Sequence, residues 1–120
     1  MTSKDQSADA GQLLPLKPAW LYILLALRQG AQHGYAIRAH AEEASQGAVR
    51  LWPATLYGSI RELSDAGAIE ELEGEEDLDG DQRRRYYRLT RLGREVLRAE
   101  ADRLQALADA AREVGVVGRA

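Results

Sequence analysis

The sequence predicts a mainly α fold with a small β-hairpin, and three observations carry that prediction. Apolar side chains recur at helical spacing in three successive segments between Leu16 and Gly67. Two short extended segments, residues 68–73 and 83–89, flank a link rich in Gly and Asp. The remaining long stretch, residues 91–114, is full of Ala, Leu, Arg and Glu, which favour helix. Composition agrees. Of 120 residues 45% are apolar, but Phe is absent and aromatics are only 6%, so the core must come from Leu, Ile, Val and Ala, as in packed helices.

Element by element, residues 1–14 lack periodicity and are rich in Ser, Asp, Ala, Gln and Gly, which predicts a disordered arm. The folded domain is expected over residues 15–90. Helix one occupies residues 16–29: Leu21, Leu24, Leu25 and Arg28 share helical spacing, Pro18 suits the first turn and Gly30 is the stop. Helix two opens at Gly34, carries Tyr35, Ile37, Ala41 and Ala44, and ends near Gly47. Residues 48–52 read as a short β-like piece. Pro53 starts a third helix whose apolar positions Leu56, Ile60 and Leu63 point inward, with Gly67 closing it. The hairpin follows. Thr90 then caps a final helix over residues 91–114, its hydroxyl accepting a free first-turn N–H, and residues 115–120 are expected to be a flexible tail. Helix, helix, helix, hairpin, helix is the order of a winged helix-turn-helix with an appended C-terminal helix.

Charge is segregated along the chain. The net charge is −3, but the stretch from Glu70 to Asp81 holds eight acidic residues and no basic one, which leaves +5 on the other 108 residues. A binding surface for a polyanion is therefore compatible with an acidic total. The absence of Cys removes disulfides, thiol catalysis and Cys-ligated zinc, and fits a cytoplasmic location. The longest apolar run, from Trp20 to Leu27, is far short of the ~20 residues a spanning helix needs, so neither membrane insertion nor export is expected. His33 and His40 with Glu43 make a poor metal set, and no phosphate loop or nucleophile–base pair is recognisable. The chain is read as a non-enzyme without cofactor or metal.

Several sequence blocks look familiar together. They are His33-Gly34-Tyr35-Ala36-Ile37, the run Ala54-Thr55-Leu56-Tyr57-Gly58-Ser59-Ile60-Arg61-Glu62-Leu63, Gly67-Ala68-Ile69-Glu70, and the run from Arg83 to Gly93 containing Tyr86-Tyr87-Arg88-Leu89-Thr90. In this order, over roughly residues 16–113, the chain resembles the PadR family of bacterial transcriptional regulators. The resemblance implies a homodimeric repressor that sets its winged helix on double-stranded DNA. It also implies that the last helix dimerises and that small aromatic or amphipathic effectors relieve repression in some members. One position departs: Gly58 stands where such proteins often have Pro, which leaves the helix more flexible.

The candidate DNA contacts follow. With Leu56, Ile60 and Leu63 inward, Ala54, Gly58, Arg61 and Asp65 face outward. Small residues there allow close approach to base edges, and Arg61 can reach a guanine edge or a phosphate. The competing reading is an exposed Arg61–Asp65 pair. Thr55 either meets a phosphate or caps the helix, while the ring of Tyr57 packs on helix two with its hydroxyl outward. Tyr35 belongs to the same candidate set. Arg83, Arg84 and Arg85 lie on the ascending wing strand, where they contact the phosphate backbone or pair with Glu71, Glu73 or Glu75 across the hairpin. Arg85 and Tyr87 are expected on the same side of that strand as Leu89, with Arg84, Tyr86 and Arg88 on the other.

Self-association is assigned to the final helix. Leu97, Ala101, Leu104, Ala108 and Ala111 repeat at coiled-coil spacing, and Leu92, Val96, Leu107 and Val114 widen the seam. Trp52 is expected to pack under the third helix. Trp20 is placed in the core or near the dimer axis, with effector stacking as the alternative. The alternative function is a winged-helix module for protein contact without DNA binding, which would lack the steep salt dependence of DNA association.

Overall fold

In the computed structural model, which describes residues 10–72 and 85–119, the chain runs through α1 (Pro18–Ala26), β1 (Gln32–His33), α2 (Gly34–Ala44), α3 (Pro53–Asp65), β2 (Ile69–Leu72), β3 (Tyr86–Leu89) and α4 (Arg91–Arg119). Pro18 and Pro53 both stand at helix starts, where a missing N–H leaves no hydrogen bond unmade. The strands form one antiparallel sheet in the order β1-β3-β2, with Ile69 opposite Leu89, Glu70 opposite Arg88 and His33 opposite Tyr86. This is the predicted winged helix-turn-helix with a long C-terminal helix.

One apolar cluster joins every layer. Ile23, Leu24 and Leu27 come from α1 and its exit turn, Ile37 and Ala41 from α2, and Leu56, Ile60 and Leu63 from α3. Ile69, Tyr87 and Leu89 close it from the sheet. α1 packs against α2, α3 and α4, which is why it is apolar nearly all round.

Besides the shorter α1, which spans Pro18–Ala26 where residues 16–29 were expected, four features differ from the sequence reading. The arm expected through residue 14 is ordered from Ala10: residues 10–12 form a helical turn, and Ala10, Leu13 and Leu14 pack on the core. Those three side chains supply the apolar area that composition alone undervalued. Residues 48–52 form no strand. Ser45 holds that loop instead, its hydroxyl accepting the Val49 N–H at 2.9 Å, and the free edge of β3 is taken by β1. The final helix continues past residue 114 to Arg119, so the expected tail is helical there; glycine lowers helix stability but keeps its backbone N–H.

The fourth difference concerns Val96, expected on the dimer seam. It is fully buried within the protomer. One turn on, Glu100 is equally buried and accepts the Leu16 N–H at 3.1 Å, while Arg103 donates to its two oxygens at 2.6 and 2.8 Å. The base of α4 is thus part of the protomer core, fastened to the segment that leads into α1.

The junction of sheet and α4 rests on one glycine. Thr90 caps α4 as predicted, accepting the Gly93 N–H at 3.0 Å, and its own hydroxyl donates to the Gly67 carbonyl. Gly93 lies so close to Ala68 that a Cβ would overlap the Ala68 carbonyl oxygen.

Candidate nucleic-acid interface

α3 presents two faces. Leu56, Ser59, Ile60 and Leu63 are buried, whereas Ala54, Thr55, Tyr57, Gly58, Arg61 and Asp65 are exposed, as the helical period requires. No ion pair joins Arg61 to Asp65 among the described residues, so the competing reading of that pair lacks its contact. Arg61 is presented to solvent from the middle of the helix. Nothing lies within 4 Å of a Cβ built on Gly58, so this face is open.

The start of α3 carries no side-chain cap. Thr55 therefore does not cap the helix, and with Pro53 lacking an N–H the unpaired first-turn donors are the amides of Ala54 and Thr55. Tyr57 is half exposed, and its hydroxyl comes to 2.5 Å from where a Cβ of Gly34 would stand. Its ring does lie on α2, which explains why Gly34 precedes Tyr35: any side chain there would displace the Tyr57 ring. Tyr35 is 74% exposed and stacks loosely on His33 at 6.5 Å.

His33 has a role the sequence reading missed. It is the N-cap of α2, its Nδ1 accepting the Ala36 N–H at 3.2 Å, and it meets Tyr86 of β3 edge to face at 5.5 Å. The signal was its position directly before the helix-opening Gly34. Among the described residues no group of three or more His, Cys, Asp or Glu side chains converges on a possible metal position.

On the wing, Arg83, Arg84 and the acidic link through Asp81 lie outside the described residues. Arg85 is exposed and stands 3.6 Å from Glu71; Arg88 meets Glu70 at 2.6 Å. Cross-strand pairing is therefore real for these two arginines, but exposed pairs of this kind contribute little to stability and leave Arg85 able to exchange partners. Tyr87 and Leu89 are buried and Arg88 is exposed, as strand alternation predicted, but Arg85, expected on the buried side, is exposed because β3 begins only at Tyr86. Burial pushes the Tyr87 phenol above its ordinary range, and the Glu71 charge adds to that, against the opposing pull of Arg85.

Trp20 packs against the core as expected, whereas Trp52 does not sit where the sequence placed it. Trp52 does not pack under α3: it is the exposed N-cap residue of that helix, 57% accessible, with the Arg38 guanidinium 5.6 Å from its ring centre. The loop fixes the backbone there through Pro53, and Leu51 takes the buried place instead. Trp20 is half-buried; its indole N–H donates to Glu62 at 3.2 Å and Lys17 lies 5.0 Å from its ring. On α4, Leu92 and Leu97 are half-buried against the core, whereas Ala101, Leu104, Leu107 and Ala111 are exposed and Ala108 partly so.

Comparison with known proteins places this geometry. The profile of the "Transcriptional regulator PadR-like family" matches residues 23–99. A PadR family transcription regulator from Clostridium difficile superposes with a TM-score of 0.69 at 20% identity, covering 82% of this chain and 98% of that one. A transcriptional regulator from Clostridium thermocellum gives 0.67 at 23% identity, covering 79% and 87%. Bacillus subtilis PadR in complex with operator DNA gives 0.61 at 23% identity, covering 69% and 46%. These likenesses show the fold. An uncharacterized 37.1 kDa protein of a Streptomyces fradiae transposon is 39% identical over 83 residues, 69% of this chain, and the match spans 22% of that relative.

Proposed function

We propose, since the chain belongs to the PadR-like family of transcriptional regulators, that it is a homodimeric repressor which reads double-stranded DNA with α3 and is released by a small aromatic or amphipathic effector. The observation that carries this is the exposed face of α3. Ala54 and Gly58 keep it low, Thr55 and two free amides stand at its start, and Arg61 projects from it with no acidic partner among the described residues. Tyr35, Tyr57 and Arg85 are assigned to the same interface, together with Arg83 and Arg84, which lie outside the described residues. A bacterial cytoplasm is the matching location.

Dimerisation is assigned to α4 beyond its buried base. Leu104, Leu107 and Val114 are 38%, 53% and 71% exposed, more apolar surface than a lone helix in water keeps without a partner. Ala101, Ala108 and Ala111 allow two such helices to approach closely. The effector is assigned to the region of Trp20, whose partly open ring offers a stacking surface once a second protomer encloses it. Titrating the chain's own upstream region against a random duplex over a salt series tests the reading. Preference for the upstream duplex, with affinity falling steeply as salt rises, supports it; equal, salt-insensitive or absent binding sinks it in favour of a protein-contact module.

A further inference from the structure

The exposed large apolar side chains of the described residues segregate by chemistry. Leu104, Leu107 and Val114 are aliphatic and all on α4; Tyr35, Trp52 and Tyr57 are aromatic and all at the starts of α2 and α3. Aliphatic surface suits a dry contact with another helix. Aromatic rings with polar edges suit a wet, charged partner. Trp52 is the member of the second group without an assigned role, and more than half of it faces solvent although it is the costliest side chain to leave in water.

Its surroundings say what it meets. The Arg38 guanidinium lies over the ring at 5.6 Å from its centre, while more than half of the residue faces solvent. Arg38 has no acidic side chain within ion-pair distance among the described residues, whereas its neighbour Glu42 is drawn toward Arg50 at 3.8 Å. Tyr35, Arg38, Ala39 and Glu42 line a shallow cleft of about 210 Å³ beside it. Trp52 at the start of α3 thus meets Arg38 of α2, which shares that cleft with Tyr35, so aromatic rings stand on either side of a guanidinium. A nucleic-acid strand has the complementary alternation, apolar deoxyribose faces between phosphates.

We propose that Trp52 and Arg38 are a sequence-blind anchor for the DNA backbone beside α3, the indole packing on a deoxyribose and the guanidinium meeting the adjoining phosphate. This rests on the DNA-binding reading and extends it to two residues outside the sequence motifs. The anchor sets general affinity, while Arg61 sets preference.

The probe is a short random-sequence duplex, so no operator need be known. In a Trp20→Phe background, where Trp52 is the sole fluorophore of its kind, adding the duplex should quench and shift the emission. Trp52→Ala should weaken both random and upstream duplexes by the same factor, about fivefold or more, with Trp52→Phe intermediate. Arg38→Ala should also reduce the salt slope by about one unit. Thermal melts of the variants, expected to change little for the exposed Trp52 and the partly buried Arg38, separate loss of contact from loss of fold. Full DNA affinity in Trp52→Ala, with unaltered Trp52 emission on a bound duplex, overturns the anchor and leaves DNA binding standing. Failure of the unaltered chain to bind either duplex overturns both.

Discussion

Gly93 is the position where the structure reverses an ordinary rule of substitution. Inside a helix, replacing Gly by Ala normally stabilises by ~1 kcal/mol, because Gly loses more backbone freedom on folding. At Gly93 the added Cβ would overlap the Ala68 carbonyl oxygen and stand 3.0 Å from its carbon and 3.3 Å from Leu89 Cδ2. The obstacle is backbone, so no side chain can swing aside. That oxygen also accepts the Thr90 N–H at 3.0 Å. Severe overpacking costs about 3 kcal/mol and the lost hydrogen bond about 1, offset by about 1 from helix propensity. Gly93→Ala should therefore lose about 3 kcal/mol, and at ~4–8 °C per kcal/mol for a domain of this size Tm should fall by about 10–25 °C. Gly58 supplies the opposite case. It is exposed inside α3 with nothing within 4 Å of its notional Cβ, so Gly58→Ala should raise stability by ~0.5–1 kcal/mol. Far-ultraviolet circular dichroism melts of the two variants read the difference. A Gly93→Ala protein melting at or above the unaltered chain would refute the close approach of α4 to Ala68, and with it the account of why Gly93 follows Leu92.

Three further outcomes are expected. Leu104→Glu with Leu107→Glu should leave the protomer folded, since both side chains are exposed, but sediment as a monomer; a persistent dimer would move the interface elsewhere. Glu100 is held below the usual carboxylate range, first by the hydrogen bonds from Arg103 and then by the Leu16 N–H, with burial opposing. A depressed carboxyl stabilises the fold above its ordinary pKa of ~4.3 and loses that contribution as pH falls through the folded value. Glu100→Gln should accordingly lower stability at neutral pH by about 2–3 kcal/mol and flatten the acid limb of a Tm-against-pH curve; an unchanged limb would remove Glu100 from that role. Arg61→Ala should reduce discrimination between upstream and random duplexes by ~1–3 kcal/mol, whereas Arg85→Ala should weaken both alike and lower the salt slope by about one, measured by anisotropy. Identical behaviour of the two variants would erase the division of labour between α3 and the wing.

What could be read from the sequence was what local chemistry decides. Pro18, Pro53 and Thr90 mark helix starts because each acts on the backbone within one turn, and the buried face of α3 follows from the 100° step alone. Strand alternation settled Tyr87 against Arg88 for the same reason. The two residues of β1 carry too little pattern to be seen, because their strand character comes from pairing with Tyr86 and Tyr87. Trp52 misled through a sound general rule, that large aromatics are highly buried. The rule says nothing of a residue whose backbone is already committed to a helix start and whose neighbour Leu51 fills the core.

The division of α4 shows most clearly where sequence periodicity stops being informative. Its apolar repeat runs unbroken from Leu92 to Val114, and a repeat of that kind says only that a face needs covering, not by what. The structure splits it at Glu100. On the N-terminal side Val96 is covered by the protomer's own core; on the C-terminal side Leu104, Leu107 and Val114 are exposed. The dividing residue is charged, and it tolerates burial because Arg103 forks onto it and because Leu16, 84 positions earlier, supplies a backbone N–H. No window along α4 contains that donor. The same link fastens α4 to the segment that leads into α1, and α1 in turn packs on α2 and α3.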